Sequence, residues 1–197
     1  MGSEMCIRDS TLPEERIRST DSLKLLGFTF GSESNVNCHV IEIQRRFRAR
    51  FWALIHLKKS GFKAKELFDL YKIFIRPVIE FCAVVYHSML TNKQVLEIER
   101  LQKQVVKLVF GWEQSYTDIC QRYNIETLEE RRKTMLDRFV MKTTANPRFS
   151  ESWYPLRLPG PEVRDRRIYM EATARTHRYY NSPLATMRRR ANDLLTA

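Results

Sequence analysis

Apolar residues recur at intervals of three and four from position 36 onward, the spacing of one face of an α-helix. The first run predicts a helix from Val36 to the glycine stop at Ser60-Gly61. A second run predicts a helix from about Lys63 to Tyr86, which Pro77 should kink because proline removes one backbone hydrogen bond. The predicted apolar faces are Val36, Val40, Ile43, Phe47, Phe51 and Leu54 on the first helix, and Leu67, Leu70, Phe74, Val78, Phe81 and Val85 on the second.

Two capping boxes mark the starts of further helices. Thr91 and Gln94 have the spacing at which each side chain satisfies a free backbone amide of the other, and a helix should follow to Gly111. Thr127 and Glu130 repeat the device before a helix that reaches about Thr144. A short helix is expected between them, over Ser115 to Tyr123. Helices joined by such short connections predict a small bundle.

The two ends of the chain have a different pattern. Ser22 to Phe30 mixes short apolar runs with Gly27 and predicts a strand and a turn. After Asn146-Pro147 proline and glycine are frequent, which predicts a loop or linker. Two further helices are predicted in this region, over Asp165 to Tyr180 and over Pro183 to Leu195.

The net charge of +11 favours a polyanionic partner, with nucleic acid ahead of an anionic membrane surface. Arg76, Pro77 and Glu80 interrupt the most apolar stretch, so we expect no membrane span. The four cysteines form no C-x-x-C pair and lack histidines at zinc-finger spacing. We therefore expect reduced thiols, no zinc site and an intracellular protein, with nucleus or cytoplasm left open.

A strongly basic window covers the end of the first predicted helix. It contains no acid between positions 45 and 65, and cations spaced along a helix can neutralise successive phosphates of a strand. The alternative interpretation is that this window is a solvated helix face. Trp52 lies off the main apolar stripe and is the aromatic residue best placed to stack on a base. The candidate nucleic-acid-binding residues are Arg45, Arg46, Arg48, Arg50, Trp52, Lys58, Lys59 and Lys63.

A second basic set lies near the C terminus, where tyrosines are interleaved with arginines. RNA contact and plain disorder both fit this composition. Its members are Arg164, Arg166, Arg167, Arg175, Arg178, Arg188, Arg189 and Arg190.

Catalytic chemistry is not indicated. Polymerases need two magnesium ions held by close carboxylates, whereas the aspartates of this chain are isolated from one another along the sequence. The acid pairs Glu97/Glu99 and Glu129/Glu130 lie among basic residues on predicted helices, where ion-paired surface is the simpler interpretation. We expect no catalytic residue, no metal ligand and no cofactor in this segment.

Residues 1–10, MGSEMCIRDS, match the translation of a transposase-based sequencing-library adapter at every position. We therefore leave them out of the fold argument, as for any segment foreign to the protein. From this match we expect the natural protein to continue upstream.

An ordered set of segments resembles the region after the catalytic motif in non-LTR retrotransposon reverse transcriptases, the RNA-directed DNA polymerases (nucleotidyltransferases) of these transposable elements. The resemblance extends over most of positions 22–197. The segments are LKLLGFTF at 23–30, HLKKSGF at 56–62, LYKIFIRPVIEFCAVVYHSMLT at 70–91, IERLQKQVVKLVFG at 98–111, LEERR at 128–132 and SWYP at 152–155.

The resemblance implies that Leu26 and Gly27 lie in the hairpin that closes the palm, near the grip on the primer, and that the next helices form the thumb. It implies a division into residues 11–35 (end of the palm), 36–145 (thumb-like helical domain) and 146–197 (loop-rich basic region). The fold class expected is mainly α, a small helical bundle with a short N-terminal β-hairpin and a loop-rich, arginine-rich C-terminal segment.

The resemblance further implies that template-primer binding is retained, while the fingers, the palm's paired aspartates and their magnesium belong to the rest of the parent enzyme. This segment is expected to be inactive alone. Its partner would be RNA or an RNA–DNA duplex, with no membrane involved. Two alternatives remain: a helical protein-interaction module that uses the apolar faces of the second and third helices, or an unexpressed pseudogenic fragment.

Overall fold

A two-stranded antiparallel hairpin begins the described part of the chain. The computed structural model describes residues 20–31, 36–157, 167–171 and 176–196. Strand β1 (Ser22–Leu25) pairs with β2 (Phe28–Gly31). The residues of the turn, Leu26 and Gly27, have φ values of 48° and 85°. Positive φ at both positions is the geometry whose twist matches that of the flanking strands.

The first predicted helix is confirmed as α1, Asn37–Lys59. Its buried face contains the apolar residues that the sequence pattern selected, among them Val40, Ile43, Phe47 and Leu54. The helix ends before Gly61, whose φ of +89° a residue with a Cβ adopts only with strain.

The second predicted helix is divided. Helix α2 (Ala64–Leu70) leads into a π-helical turn at Tyr71–Ile75, and α3 (Arg76–Glu80) follows. The wide turn ends where the Arg76 N–H donates to the Tyr71 carbonyl, directly before Pro77, which has no N–H to continue the ladder. The helical path is interrupted again at Cys82, which has a φ of 58°. Helix α4 (Ala83–Tyr86) and a 3₁₀ turn at His87–Met89 follow.

The apolar face predicted for this region is wrong at two positions, because Phe74 and Phe81 are exposed. The residues in the core instead follow one another mostly four apart. A π-helical turn contains more residues than an α-helical turn, so residues four apart stay on the same side of the helix through it. The buried set is Leu67, Tyr71, Ile75, Ile79, Ala83 and Tyr86.

Three more predicted helices are confirmed: α5 (Asn92–Phe110), α6 (Tyr116–Arg122) and α7 (Leu128–Thr144). Both capping boxes are formed as expected. At the start of α5, the Thr91 hydroxyl accepts from the Gln94 N–H at 3.3 Å, and the Gln94 side chain accepts from the Thr91 N–H at 2.8 Å. Thr127 and Glu130 do the same at the start of α7.

The C-terminal region is more helical than predicted. Helix α8 (Pro147–Trp153) begins where a loop was expected, because proline fits the first position of a helix and the Asn146 side chain accepts from the Arg148 N–H. The helix predicted over Asp165 to Tyr180 is wrong across 167–171, where Tyr169 instead pairs with Leu156 in an antiparallel bridge. Short α9 (His177–Tyr180) and the expected α10 (Pro183–Thr196) complete the chain.

Two apolar clusters hold these elements together. The larger joins β2, α1, α2 to α4 and α5. The smaller joins α7 and α10 around Leu136, Val140, Tyr154, Met187 and Ala191. The fold class is therefore confirmed: the described residues are mainly helical, with a short β-hairpin near the N terminus. The predictions for residues 1–10, 32–35, Arg164, Arg166 and Arg175 lie outside the described residues.

Candidate nucleic-acid interface

One exposed line of side chains follows the side of α1 opposite the core. Arg45, Arg48, Trp52, His56 and Lys59 are all exposed and lie three or four residues apart, which places them on one helical face. We call these five residues the basic stripe. Trp52 is 64% exposed, and the centre of its ring lies 3.9 Å from the centre of the His56 ring. These two rings lie between Arg45 and Arg48 on one side and Lys59 on the other.

Arg45, the first cation of the basic stripe, and its neighbour Arg46 both pair with the carboxylate of Glu42. Arg45 and Arg46 each place Nε 2.7 Å from a carboxylate oxygen of Glu42, one turn earlier on α1. These hydrogen bonds lower the pKa of Glu42 to about 2. Half-buried Arg46 is therefore a structural partner of Glu42, whereas exposed Arg45 can exchange this carboxylate for a phosphate.

Two further predicted residues make contacts within the protein. The Arg50 guanidinium lies 4.9 Å from the centre of the Phe74 ring and so bridges α1 and the π-helical turn. The Lys58 ammonium donates to the Leu108 carbonyl in the last turn of α5, where a cation is favourable. Arg50 and Lys58 therefore join α1 to its neighbours and do not extend the basic stripe.

Arg48, Lys59 and Lys63 are the cations best placed to meet a ligand. All three are exposed, and no carboxylate within the described part of the chain lies within ion-pair distance of them. Lys63 lies just beyond the turn at Gly61, where its backbone N–H donates to the Glu66 side chain at 2.9 Å. Its side chain extends the positive surface from the end of α1 to the start of α2.

The predicted primer-grip residues form the tip of the hairpin. Leu26 is 90% exposed, and Gly27 packs against the ring of Phe81. A Cβ at Gly27 would lie 3.0 Å from two ring atoms of Phe81, so only glycine fits without a shift of that ring. The hairpin is held on α1 by Phe28, whose ring centre is 4.2 Å from that of buried His39.

Three arginines of the C-terminal set, Arg188, Arg189 and Arg190, fasten α10 onto the molecule. Arg188 donates to the Trp153 carbonyl at 2.7 Å, and Arg190 pairs with Asp137 of α7 at 2.5 Å. The Arg189 guanidinium lies 3.6 Å from the centre of the Tyr180 ring. Disorder, one of the two interpretations of this segment, is therefore excluded for α10.

Sequence analysis did not single out Trp112, which is 69% exposed. It follows Gly111 at the end of α5, and the buried Lys107 ammonium fixes its backbone by donating to the Trp112 carbonyl at 3.1 Å. Lys107 also donates to the carbonyl of Gln114. The glycine stop at 111 was the available signal for an exposed loop at this place.

In the chain as described, no group of histidine, cysteine, aspartate or glutamate side chains is arranged to hold a metal ion. Cys38, Cys82 and Cys120 are free thiols. No helix within the described ranges is long and apolar enough to cross a bilayer. Comparison of the chain with protein-family models, curated proteins and solved structures gave no match.

Proposed function

We propose that this chain is the thumb-like region of a non-LTR retrotransposon reverse transcriptase and that it binds the backbone of an RNA or RNA–DNA duplex. The basic stripe on α1 is the observation that carries the proposal. The sequence resemblance supplies the family, and the fold agrees with it in having a hairpin followed by a helical bundle.

The dimensions of the stripe suit a phosphate backbone. Arg48 and Lys59 are eleven positions apart on one helical face, which corresponds to about 16 Å along the axis. A duplex strand presents one phosphate per roughly 3.4 Å of its axis, so the stripe can reach several phosphates. Such interactions fix the position of a duplex without reading its sequence.

Trp52 adds a flat apolar surface between the cations. An exposed indole can stack on a base of an unpaired strand or pack against a sugar of a duplex. With 64% of its surface exposed, the indole is accessible to a ligand on the same helical face as the cations. We therefore assign Trp52 to the same binding face as Arg48 and Lys59.

The protein-interaction alternative finds support in the second predicted helix. The apolar stripe of α5 is used in the core, where Ile98 and Val105 are 0% exposed. In the second predicted helix, however, Ile73, Phe74 and Phe81 are exposed and could meet a partner. An apolar interface there would be insensitive to salt, whereas phosphate binding weakens steeply with salt.

A binding measurement with a labelled RNA–DNA duplex tests the proposal. Replacing Arg48 and Lys59 with glutamine keeps the helix propensity and most of the aliphatic stems. If each residue neutralises one phosphate, the double variant should bind roughly 60-fold more weakly in 0.1 M salt, because the affinity gained at each phosphate falls with about the 0.9 power of salt concentration, measured from 1 M.

The matched control replaces Lys93 and Lys103, two exposed lysines of α5, with glutamine. It removes the same net charge from a different surface. A control variant that loses as much affinity as the stripe variant would contradict the proposal, because the overall charge of +11 would then account for binding.

A further inference from the structure

A groove of about 200 Å³ lies between α1 and α5, on the flank of the basic stripe. Its deepest side is apolar, since the lining residues Phe47 and Leu101 are 1% and 8% exposed. The other lining residues are polar or charged, and one of them, Arg48, also belongs to the basic stripe. The groove is therefore continuous with the surface that we assign to the backbone of a duplex.

Two cations line this groove from opposite walls. Arg48 of α1 and Arg100 of α5 are both exposed. Neither guanidinium forms an ion pair within the described part of the chain, although Glu97 lines the same groove. A guanidinium donates parallel hydrogen bonds to a phosphate, so two of them facing one groove favour an anionic group between them.

Two hydrogen-bond acceptors also line the groove. The Gln44 amide of α1 donates to the Glu97 carboxylate of α5 at 3.3 Å, and we call these two residues the acceptor pair. The Gln44 carbonyl oxygen and the other carboxylate oxygen of Glu97 accept no hydrogen bond from the described residues. A carboxylate repels a phosphate, so the acceptor pair suits a hydroxyl group that donates to it.

The acceptor pair and the two arginines lie about one helical turn apart along the groove. Helices α1 and α5 run in the same direction, because the acceptor pair joins their first halves and Lys58, at the end of α1, donates to the last turn of α5. Arg48 and Arg100 follow the acceptor pair by four and three positions, which corresponds to about 5 Å along the axes. A ligand that fits the groove therefore combines an anionic group with a hydroxyl a few ångströms away.

We propose that the groove binds one nucleotide of an RNA strand, with its phosphate between Arg48 and Arg100 and its ribose 2′-hydroxyl on the acceptor pair. Each ribose of RNA carries a 2′-hydroxyl close to a phosphate, and this hydroxyl can donate a hydrogen bond. The sugars inside a DNA strand have no hydroxyl, so they leave the acceptor pair without a donor. The assignment rests on the proposed duplex binding and adds to it a preference for the RNA strand.

Two RNA–DNA hybrids of the same sequence test this contact, one with natural ribose and one with 2′-fluoro ribose. Fluorine cannot donate a hydrogen bond, but it keeps the sugar conformation of RNA and the phosphate charge. The native chain should bind the natural hybrid roughly tenfold more tightly, the scale of one hydrogen bond to a charged group. Equal affinities would overturn the inference and leave the proposed duplex binding intact, whereas binding of neither hybrid would overturn both.

Three variants assign the contact to particular residues. Glu97→Leu should abolish the preference for the natural hybrid, because the carboxylate acceptor is lost. Glu151→Leu is the matched control, since it removes the same charge at an exposed position of α8, and it should keep the tenfold ratio. Arg100→Gln should weaken both hybrids by the same factor, roughly tenfold, and leave their ratio unchanged.

A preference that persists in Glu97→Leu would overturn the placement of the 2′-hydroxyl, and native affinity in Arg100→Gln would overturn that of the phosphate. The comparison of the two hybrids on the native chain needs no variant, so it decides the question even if Glu97→Leu fails to fold.

Discussion

Gln102 is the centre of a buried polar network, and its replacement by methionine should be one of the most destabilising single changes in the protein. The residue is 1% exposed. Its side chain accepts from the Tyr71 hydroxyl at 2.6 Å and donates to the Glu126 carbonyl at 2.9 Å and to the Tyr116 hydroxyl at 3.2 Å. One amide thus joins the π-helical turn, α5, α6 and the segment before α7.

The magnitude follows from the groups left without partners. Gln102→Met orphans the Tyr71 hydroxyl and the Glu126 carbonyl, at about 1–3 kcal/mol each, whereas Tyr116 keeps its 2.7 Å bond to Glu99. We therefore expect a loss of about 4 kcal/mol, a large part of the roughly 5–15 kcal/mol that stabilises a typical domain.

Urea unfolding followed by circular dichroism measures this loss, and Gln104→Met, at an exposed position of α5, is the control with an expected change below about 0.5 kcal/mol. Combining Gln102→Met with Tyr71→Phe should cost less than the sum of the two single changes, because the hydroxyl is no longer orphaned. A loss below about 1 kcal/mol for Gln102→Met, or strict additivity in the double variant, would refute the network argument.

Three further predictions concern stability. Burial lowers the pKa of His39 and of His87 from the ordinary value of 6.5, so the unfolded chain binds more protons below that pH and stability should fall as the pH drops. His39→Phe, in a pocket already lined by aromatic rings, should make urea midpoints less dependent on pH between 7 and 5, and an unchanged pH dependence would exclude His39 as a cause. Leu26→Asn should stabilise the chain by about 1 kcal/mol, because asparagine tolerates the positive φ that leucine adopts with strain; a lower urea midpoint would show that the turn is not strained. Arg190→Met should destabilise by about 1 kcal/mol, since its partly exposed pair with Asp137 joins α10 to α7, and hydrogen exchange should show α10 opening first; uniform protection across α7 and α10 would contradict this.

The sequence predicted those elements whose signals are local. Both capping boxes and the glycines at 61 and 111 marked helix ends that the structure confirms. The pattern failed between positions 71 and 82, because a π-helical turn changes the period on which the apolar face was assigned. It also failed at Pro147, since the same residue that ends one helix can begin another at its first position.

The sequence showed which basic residues lie close together along the chain, but not which of them share an exposed surface. The basic window was recognised from the sequence, but it began at Arg45 and so left out Glu42. This carboxylate, one turn earlier on α1, forms ion pairs with both Arg45 and Arg46. The interactions of Arg50 with Phe74 and of Lys58 with Leu108 depend on tertiary packing, which charge spacing along the chain does not encode. A helical projection does recover the stripe itself, since its members lie three or four residues apart.

The salt dependence of duplex binding tests the central claim most directly. The logarithm of the affinity for an RNA–DNA duplex, plotted against the logarithm of salt concentration, has a slope that counts neutralised phosphates. The proposed face predicts that Arg48→Gln and Lys59→Gln together reduce the magnitude of this slope by roughly 2, about 1 for each phosphate that is no longer neutralised. Lys93→Gln with Lys103→Gln should leave it nearly unchanged. Equal reductions in the two variants would contradict a duplex-binding face on α1.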